Sequence, residues 1–530
     1  MSGCEFTRRR FVTGAVAATL ASGVRSQSEL SAGQSSAPHT LYWGDLHNHN
    51  AVGYAQGSLA RSIDLAREHL DFFAFTGHAS WHDMPEMPGD RHMKWVRGFE
   101  VHAKHWPRTR QMIADANDDE FVAILGYEWH SSHFGDYCLL FDSDQQELFL
   151  PDHVDKLLDF AEANQALAIP HHVGYLQGWR GANWKHFRAS VSPVVEIFSE
   201  HGCTESDRAP FPMIRHSMSG RWTANTIARQ LARGLRFGFV ASSDDHRGYP
   251  GAYGEGVVGV WAEELTAAAI FRAVRERRCY AATGDRIALE TTLNGLPMGA
   301  QLPATAERQF DVRVEGQDSL ESVELIRNGR VIERHFPEDA VDGPPKLPGR
   351  AKLRIQYGWG PWGALDLDRT CAWDMRVELR GATLHRVLGC FQSAPFGENL
   401  RDRLRQISDN ELRLTSHTTR RQAYAEDPTK AIVCEIDAEP DAALSIILRS
   451  PSEQTITTSL RKLLTDNLVA FTGPFTSESL IISRLVAPEE YATRVTWEDR
   501  RPASTRGDNY YVRVKQHNGH CAWSSPFWVG

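Results

Sequence analysis

At 530 residues the chain is too long for one ordinary core, so two or three domains are expected. With 42% hydrophobic and 24% charged residues it has the composition of a soluble globular protein. A net charge of −9 argues against a general nucleic-acid surface, which needs a basic face to displace counterions.

Arg8, Arg9 and Arg10 precede Phe11, Val12 and a mild apolar run that fades near Val24. The run is too short and too rich in Ala, Gly and Thr to span a bilayer as a helix, so no stable membrane anchor is expected. The pattern resembles a twin-arginine (Tat) signal, addressed to the Tat export machinery. Residues 1–38 are therefore read as signal and linker, with the periplasm or secretion as the destination. Of eight cysteines, Cys4 falls in this segment; the other seven are scattered without a CxxC pair. Neither a disulfide scaffold nor a thiolate zinc site is suggested.

From Leu41 apolar runs and helical patterns alternate. LYWGDLHNHN ends in His47 and His49, which share a face if the run is a strand, because side-chain direction alternates with period two. Leu59, Ile63, Ala66 and Leu70 follow at helical spacing, with His69 turned away toward solvent. DFFAFTGH, residues 71–78, reads as a strand buried on both faces and ends in His78. FVAILGYEWH ends at Glu128, with His130 just beyond; residues 136–141 make a short excursion, and a helix is expected near 154–163. ALAIPHH ends in His171 and His172, and VVEIFSEHG in Glu200 and His201. A helix carrying Ile227, Leu231 and Leu235 leads to FGFVASSDDH, ending in Asp244, Asp245 and His246; GVVGVWA and a helix from Thr266 close the series. His102 and His105 fit surface or satisfied core positions. Successive strands that each finish in His, Glu or Asp are far more specific together than any one of them. Alternation over about 250 residues, with polar groups gathered at strand ends, favours a parallel α/β barrel whose site lies at its C-terminal mouth.

HNH at 47–49, FTGHAS at 75–80, GYEW at 126–129, IPHH at 169–172 and SSDDH at 242–246 resemble the motifs of the PHP (polymerase and histidinol phosphatase) superfamily. More closely, the chain resembles an exported, uncharacterised branch of that superfamily with a C-terminal β-rich domain. That resemblance implies a distorted seven-stranded β/α (TIM-like) barrel over residues 39–287, holding divalent zinc, manganese or iron. Carried over by motif, His47 and His49 hold one metal, Glu128 bridges two, and His78, His171, Asp244 and His246 complete the set. His172 stands as the alternative to His171. Gly77 replaces the usual Asp before His78, and Ala55 lies where trinuclear members carry a further histidine. Between Glu128 and IPHH only His133 or Asp136 is on offer as another ligand. Two metals are expected rather than three.

Imidazole and carboxylate ligands suit Zn²⁺, Mn²⁺ or Fe²⁺ alike. Two such metals polarise a phosphoryl oxygen and activate water. The expected function is a periplasmic metal-dependent hydrolase, a phosphoesterase using metal-bound hydroxide on a small or oligomeric anionic substrate. His201 is a candidate catalytic acid, a further ligand, or a histidine hydrogen-bonded beneath the metal shell. Arg247 is placed to meet a substrate anion, since a guanidinium pairs bidentately with phosphate; Arg180 and Lys185 are weaker candidates. The alternatives are a metal-dependent lyase or non-phosphate hydrolase on an acidic polysaccharide, and a metal-stabilised glycan-binding protein.

Beyond about residue 288 the period changes to strict alternation, as in RQFDVRVEG with Phe310, Val312 and Val314 on one face. Asn328-Gly329 between two alternating runs signals a hairpin. An all-β sandwich domain is expected over 288–530, with Trp523, Phe527 and Trp528 in its packing and the 357–363 loop, YGWGPWG, as a candidate cover for the barrel mouth.

Overall fold

The apolar run before His47 forms β1 (Thr40–Asp45), the strand about which the amino-terminal half is built. A computed structural model describes residues 39–215, 220–341, 343, 345–358, 369–420 and 428–530. After β1 come α1 (Leu59–His69), β2 (Phe72–Ala74), β3 (His78–Trp81), α2 (Met93–Asp115), β4 (Val122–His130) and β5 (Tyr137–Phe141). Then follow α3 (Val154–Ala163), β6 (Leu167–Pro170), β7 (Val194–Ser199), β8 (Gly202–Cys203), α4 (Ile227–Ala232), β9 (Gly238–Ala241), β10 (Val257–Ala262), α5 (Ala267–Arg275) and β11 (Cys279–Ala282).

Local chemistry accounts for the helices. Ser58 caps α1 by accepting from Arg61 N–H, and Thr266 caps α5 by accepting from Ala269 N–H (3.2 Å). Leu59, Leu65 and Ala66 bury one face of α1; Ile270, Phe271 and Val274 bury one face of α5. The 71–78 strand is shorter than the sequence suggests. It stops at Ala74, because Thr76 Oγ1 instead bonds Asn48, accepting from its N–H (2.9 Å) and donating to its carbonyl (2.9 Å). His69 is half-buried, with Nδ1 against Leu65 O (3.0 Å).

β1, β2 and β4 run parallel, as the alternation predicts. β5 then inserts antiparallel between β4 and β6, and β10 lies antiparallel on the other edge of β1. β7 pairs in parallel with β9 in a separate three-stranded sheet that includes β8. Among the described residues no ladder joins that sheet to the larger one, so the strands surround a common centre without closing into the expected hydrogen-bonded barrel. The fold is mixed α/β and strand-rich.

The carboxy-terminal half is not a separate sandwich either. β11 pairs antiparallel with Cys521–Ser524, and Phe527–Val529 joins the same sheet through Asp508–Gln516, so one sheet runs across the 287/288 position. Phe310, Val312 and Val314 do point inward, but their core is shared with Trp43 and Tyr280 as well as Tyr510, Val512 and Phe527. An eight-stranded sheet containing Thr370–Cys390 and Lys430–Ser450 packs a second core that takes in Leu65 and Tyr249. The hairpin forms as read: Asn328 (φ 51°) and Gly329 (φ 75°) link Leu320–Arg327 to Arg330–His335, a two-residue turn that needs left-handed backbone at both positions. Trp523, Phe527 and Trp528 are buried, and Trp523 Nε1 donates to Glu205 Oε2 (2.8 Å). The Tat-type segment and most of the 357–363 loop lie outside the described residues. Among the described residues no helix is long and apolar enough to cross a membrane.

Candidate metal centre

β1 delivers His47 and His49 to one buried point, where their Nε2 atoms lie 3.1 Å apart. Asn48 between them turns the other way and donates from Nδ2 to Ala74 O (2.9 Å). The two-residue spacing therefore does what period two requires.

Two carboxylates collect the remaining imidazoles. Glu128 Oε1 lies 2.7 Å from His171 Nε2 and 3.0 Å from His130 Nε2; Oε2 lies 3.4 Å from His78 Nε2 and 3.6 Å from His49 Nε2. Asp244 Oδ1 lies 2.9 Å from His49 Nε2 and 3.3 Å from His47 Nε2, while Oδ2 lies 3.1 Å from His201 Nε2. His49 touches both carboxylates, so the centre is continuous. Asp244 achieves its reach with left-handed backbone (φ 58°), which Asp tolerates better than most residues. His246 closes the open side: Nδ1 is 2.8 Å from Asp244 O, and its ring centroid is 4.6 Å from His49 and 5.0 Å from His78.

The structure thus brings together His47, His49, His78, Glu128, His171, Asp244 and His246, with His201 beside them. His172 is present too, through Asp136 Oδ2 (3.3 Å). Arg247 stands apart: Nη1 donates to Ser393 Oγ (3.2 Å) of the carboxy-terminal half. Asp245 faces away, accepting from the N–H groups of Arg247 and Tyr249 (both 2.8 Å). One guanidinium near the centre is that of Arg180, whose Nε donates to Asp136 Oδ2 (2.8 Å) and which lies over the Trp81 ring. His133 and Lys185 are exposed, whereas Asp136 is buried.

Sequence reasoning passed over three neighbours. His130 shares a strand face with Glu128, the same i, i+2 signal as His47 and His49. Cys138, on the face of Asp136, places Sγ 3.7 Å from His171 Nδ1; a search for CxxC pairs cannot find it. Glu196 Oε2 lies 3.1 Å from His47 Nδ1, its only signal an acid in the otherwise apolar run VVEIFS.

The donor set fits divalent cations. His49 Nδ1, His78 Nδ1, Glu128 Oε2 and Glu196 Oε1 are buried and form no hydrogen bond, an arrangement that is costly without a compensating charge. Burial, helped by His246, lowers His49 to about 3, and burial with His49 holds His78 well below the ordinary histidine range. Both rings are therefore neutral, the form that ligates metals. His47 behaves oppositely: burial would lower it, but Asp244, Cys138 and Glu196 outweigh burial and hold it well above the usual range. Protons on such rings supply the positive charge the carboxylates demand, and cations would replace them. The mixed nitrogen and oxygen donors suit Zn²⁺, Mn²⁺ or Fe²⁺.

A protein family of unknown function (DUF3604) matches residues 252–292. An uncharacterised protein of Chlamydia muridarum is 27% identical over 335 residues, covering 57% of this chain and 49% of the relative. One from Chlamydia trachomatis serovar D is 26% identical over 332 residues, covering 56% and 49%. The chain spans about half the length of the curated relatives it matches. Among solved structures, a two-domain protein from Bacteroides vulgatus containing a predicted PHP-like metal-dependent phosphoesterase is 15% identical, with a TM-score of 0.35 over 57% of this chain and 84% of that one. Endonuclease Q, in complex with a 27-mer duplex substrate with an abasic lesion at the active site, is 13% identical with a TM-score of 0.29, covering 44% and 56%. The functional reading rests on the centre's own geometry.

Proposed function

We propose that this protein is a metal-dependent hydrolase and that it cleaves phosphoesters of a small or oligomeric anion. One observation carries this: Glu128 and Asp244 are buried, each is ringed by imidazoles, and His49 joins them. Neighbouring divalent cations need ligands of this kind. His47, His49 and Asp244 would hold one ion; His78, Glu128 and His130, with His171, the other. Such ions, when bound, polarise phosphoryl oxygens and lower the pKa of water. The chain's own groups do the rest. Tyr175 Oη, 2.5 Å from His201 Nδ1, fixes that ring so that Nε2 faces Asp244. Arg180, anchored on Asp136, puts a permanent positive charge beside the Glu128 side of the centre, where an anionic substrate gains from it. Action in the periplasm rests on the Arg8-Arg9-Arg10 pattern alone.

The test uses purified protein stripped of metal and reloaded with zinc, manganese or iron, beside Glu128→Ala. About two metals per chain and turnover of p-nitrophenyl phosphate or bis(p-nitrophenyl) phosphate are expected in the parent, with both lost in the variant. Two bound metals without turnover of either ester would move the reading to a lyase or non-phosphate hydrolase on an acidic polysaccharide. A parent that binds no metal would sink it.

A further inference from the structure

The turn between β1 and α1 carries one aromatic side chain that the metal centre does not explain. Tyr54 stacks on His78 with ring centroids 3.6 Å apart and planes at 21°. His49 stacks on the same imidazole at 3.7 Å and 15°. Two near-parallel rings at that spacing must take opposite faces, so His78 is sandwiched and Tyr54 caps the imidazole stack from outside.

The cap is held in place. Gln56 N–H donates to His246 O (2.9 Å) and Ala51 N–H to Gly57 O (2.7 Å), which pins the turn across the centre. On the far side α2 makes room: a Cβ on Gly98 would fall 2.8 Å from Tyr54 Cβ, and Trp95 and Phe99 flank the ring at 6.1 Å. Yet the phenol forms no hydrogen bond to another described residue, although Glu128, Asp244, Asp136 and Arg180 all act on it electrostatically. A half-buried tyrosine whose ring is stacked on a ligand histidine thus carries a phenol donor that lacks an acceptor among the described residues.

We propose that Tyr54 is a substrate-contacting residue, its hydroxyl donating a hydrogen bond to a non-bridging oxygen of the phosphoryl group bound against His78 and Glu128. No proton is transferred: the O–H stays intact while negative charge grows on the oxygen it contacts, so the bond strengthens toward the transition state. The proposal rests on the phosphoesterase reading. It extends that reading from the metals to the recognition of a tetrahedral oxyanion.

Tyr54→Phe tests it, because the ring and its stack on His78 remain. Metal content should stay at the parental level. The kcat/KM for bis(p-nitrophenyl) phosphate should fall about 10- to 100-fold, chiefly in kcat. Orthophosphate, titrated calorimetrically into metal-loaded protein, should bind about 10-fold more weakly to the variant. An active parent whose Tyr54→Phe variant keeps both kcat/KM and phosphate affinity overturns the proposal and leaves the phosphoesterase reading standing. Loss of metal in Tyr54→Phe also overturns it, by showing that the phenol matters to the ligand stack alone. A metal-loaded parent that neither turns over a phosphoester nor binds orthophosphate takes down both.

Discussion

Two of the buried polar clusters among the described residues are built on opposite plans. Asp285 is fully buried, and partners from distant segments converge on it. Tyr253 Oη donates to Oδ1 (2.7 Å), while Arg354 Nη2 (2.7 Å), Gln516 Nε2 (2.7 Å) and Asn518 Nδ2 (2.6 Å) donate to Oδ2. The Glu128–Asp244 centre is equally buried, yet several of its nitrogens and oxygens form no hydrogen bond. In the first cluster the chain neutralises its own charge and joins its two halves. In the second, protons on imidazoles balance the carboxylates while several other donors and acceptors stay unpaired, so cations that replace those protons would add stability. A buried charge alone says little about function; what tells the two apart is whether the chain itself satisfies it.

The sharpest way to break this contrast is to remove a central group from each. Glu128→Ala should abolish most bound metal and lower phosphoester turnover at least about 1,000-fold, since metal-based charge stabilisation is worth several kcal/mol. Elemental analysis and a chromogenic assay read both effects. The stability of the metal-free protein should fall only slightly, because the imidazoles around Glu128 can shed the protons that balance it. Asp285→Asn should do the reverse, costing about 3–5 kcal/mol in urea unfolding by leaving Arg354 buried without its carboxylate. Folded variant should still bind metal at the parental level. Equal destabilisation by the two substitutions, with metal absent, would erase the distinction.

Acid offers a second, smaller contrast. Burial would raise the Asp285 carboxyl, but Arg354, His520 and Asn518 outweigh it and hold it well below its ordinary value of 3.8. A group whose folded pKa is depressed contributes its full stability above the unfolded value and loses it as pH falls toward the folded one. Urea midpoints measured from about pH 6 down to about pH 3 should therefore drop more steeply in the parent than in Asp285→Asn. Parallel slopes would mean that Asp285 is not charged in the folded protein.

The sequence spoke unevenly about these two regions. Ligands at strand ends were legible because period two forces His47 and His49 onto one face and because successive strands repeat the device. Glu196 and Cys138 have no spacing partner of their own kind, and only the folding of distant strands makes them neighbours. α1, α5 and the Asn328-Gly329 hairpin were legible from caps, stripes and turn chemistry. α2 was not, since its buried positions include His102, Thr109 and Gly98 rather than an aliphatic stripe. The open sheet could not be foreseen either, because the Cys521–Ser524 strand pairs with β11 by contacts remote in sequence. Asp285 was silent for the same reason: four of its partners lie between 32 and 233 residues away.

Asp45 tests whether the contrast is one of kind or of degree. It belongs to the metal centre by position, two residues before His47, but it is satisfied like Asp285. Oδ1 accepts from the N–H groups of His47 (3.2 Å) and Ser243 (3.1 Å); Oδ2 accepts from Ser243 Oγ (2.5 Å) and Gly251 N–H (2.7 Å). It thereby holds the end of β1 against the loop that presents Asp244. In Asp45→Asn an amide NH₂ must face donors, so the two loops should part slightly without either losing its ligands. The expected result is a 10–100-fold loss of metal affinity, as for groups that orient ligands, with a stability cost of about 1–3 kcal/mol. If metal affinity were untouched and stability fell as far as in Asp285→Asn, Asp45 would belong to the scaffold, and the centre's unmet groups would begin only at His47.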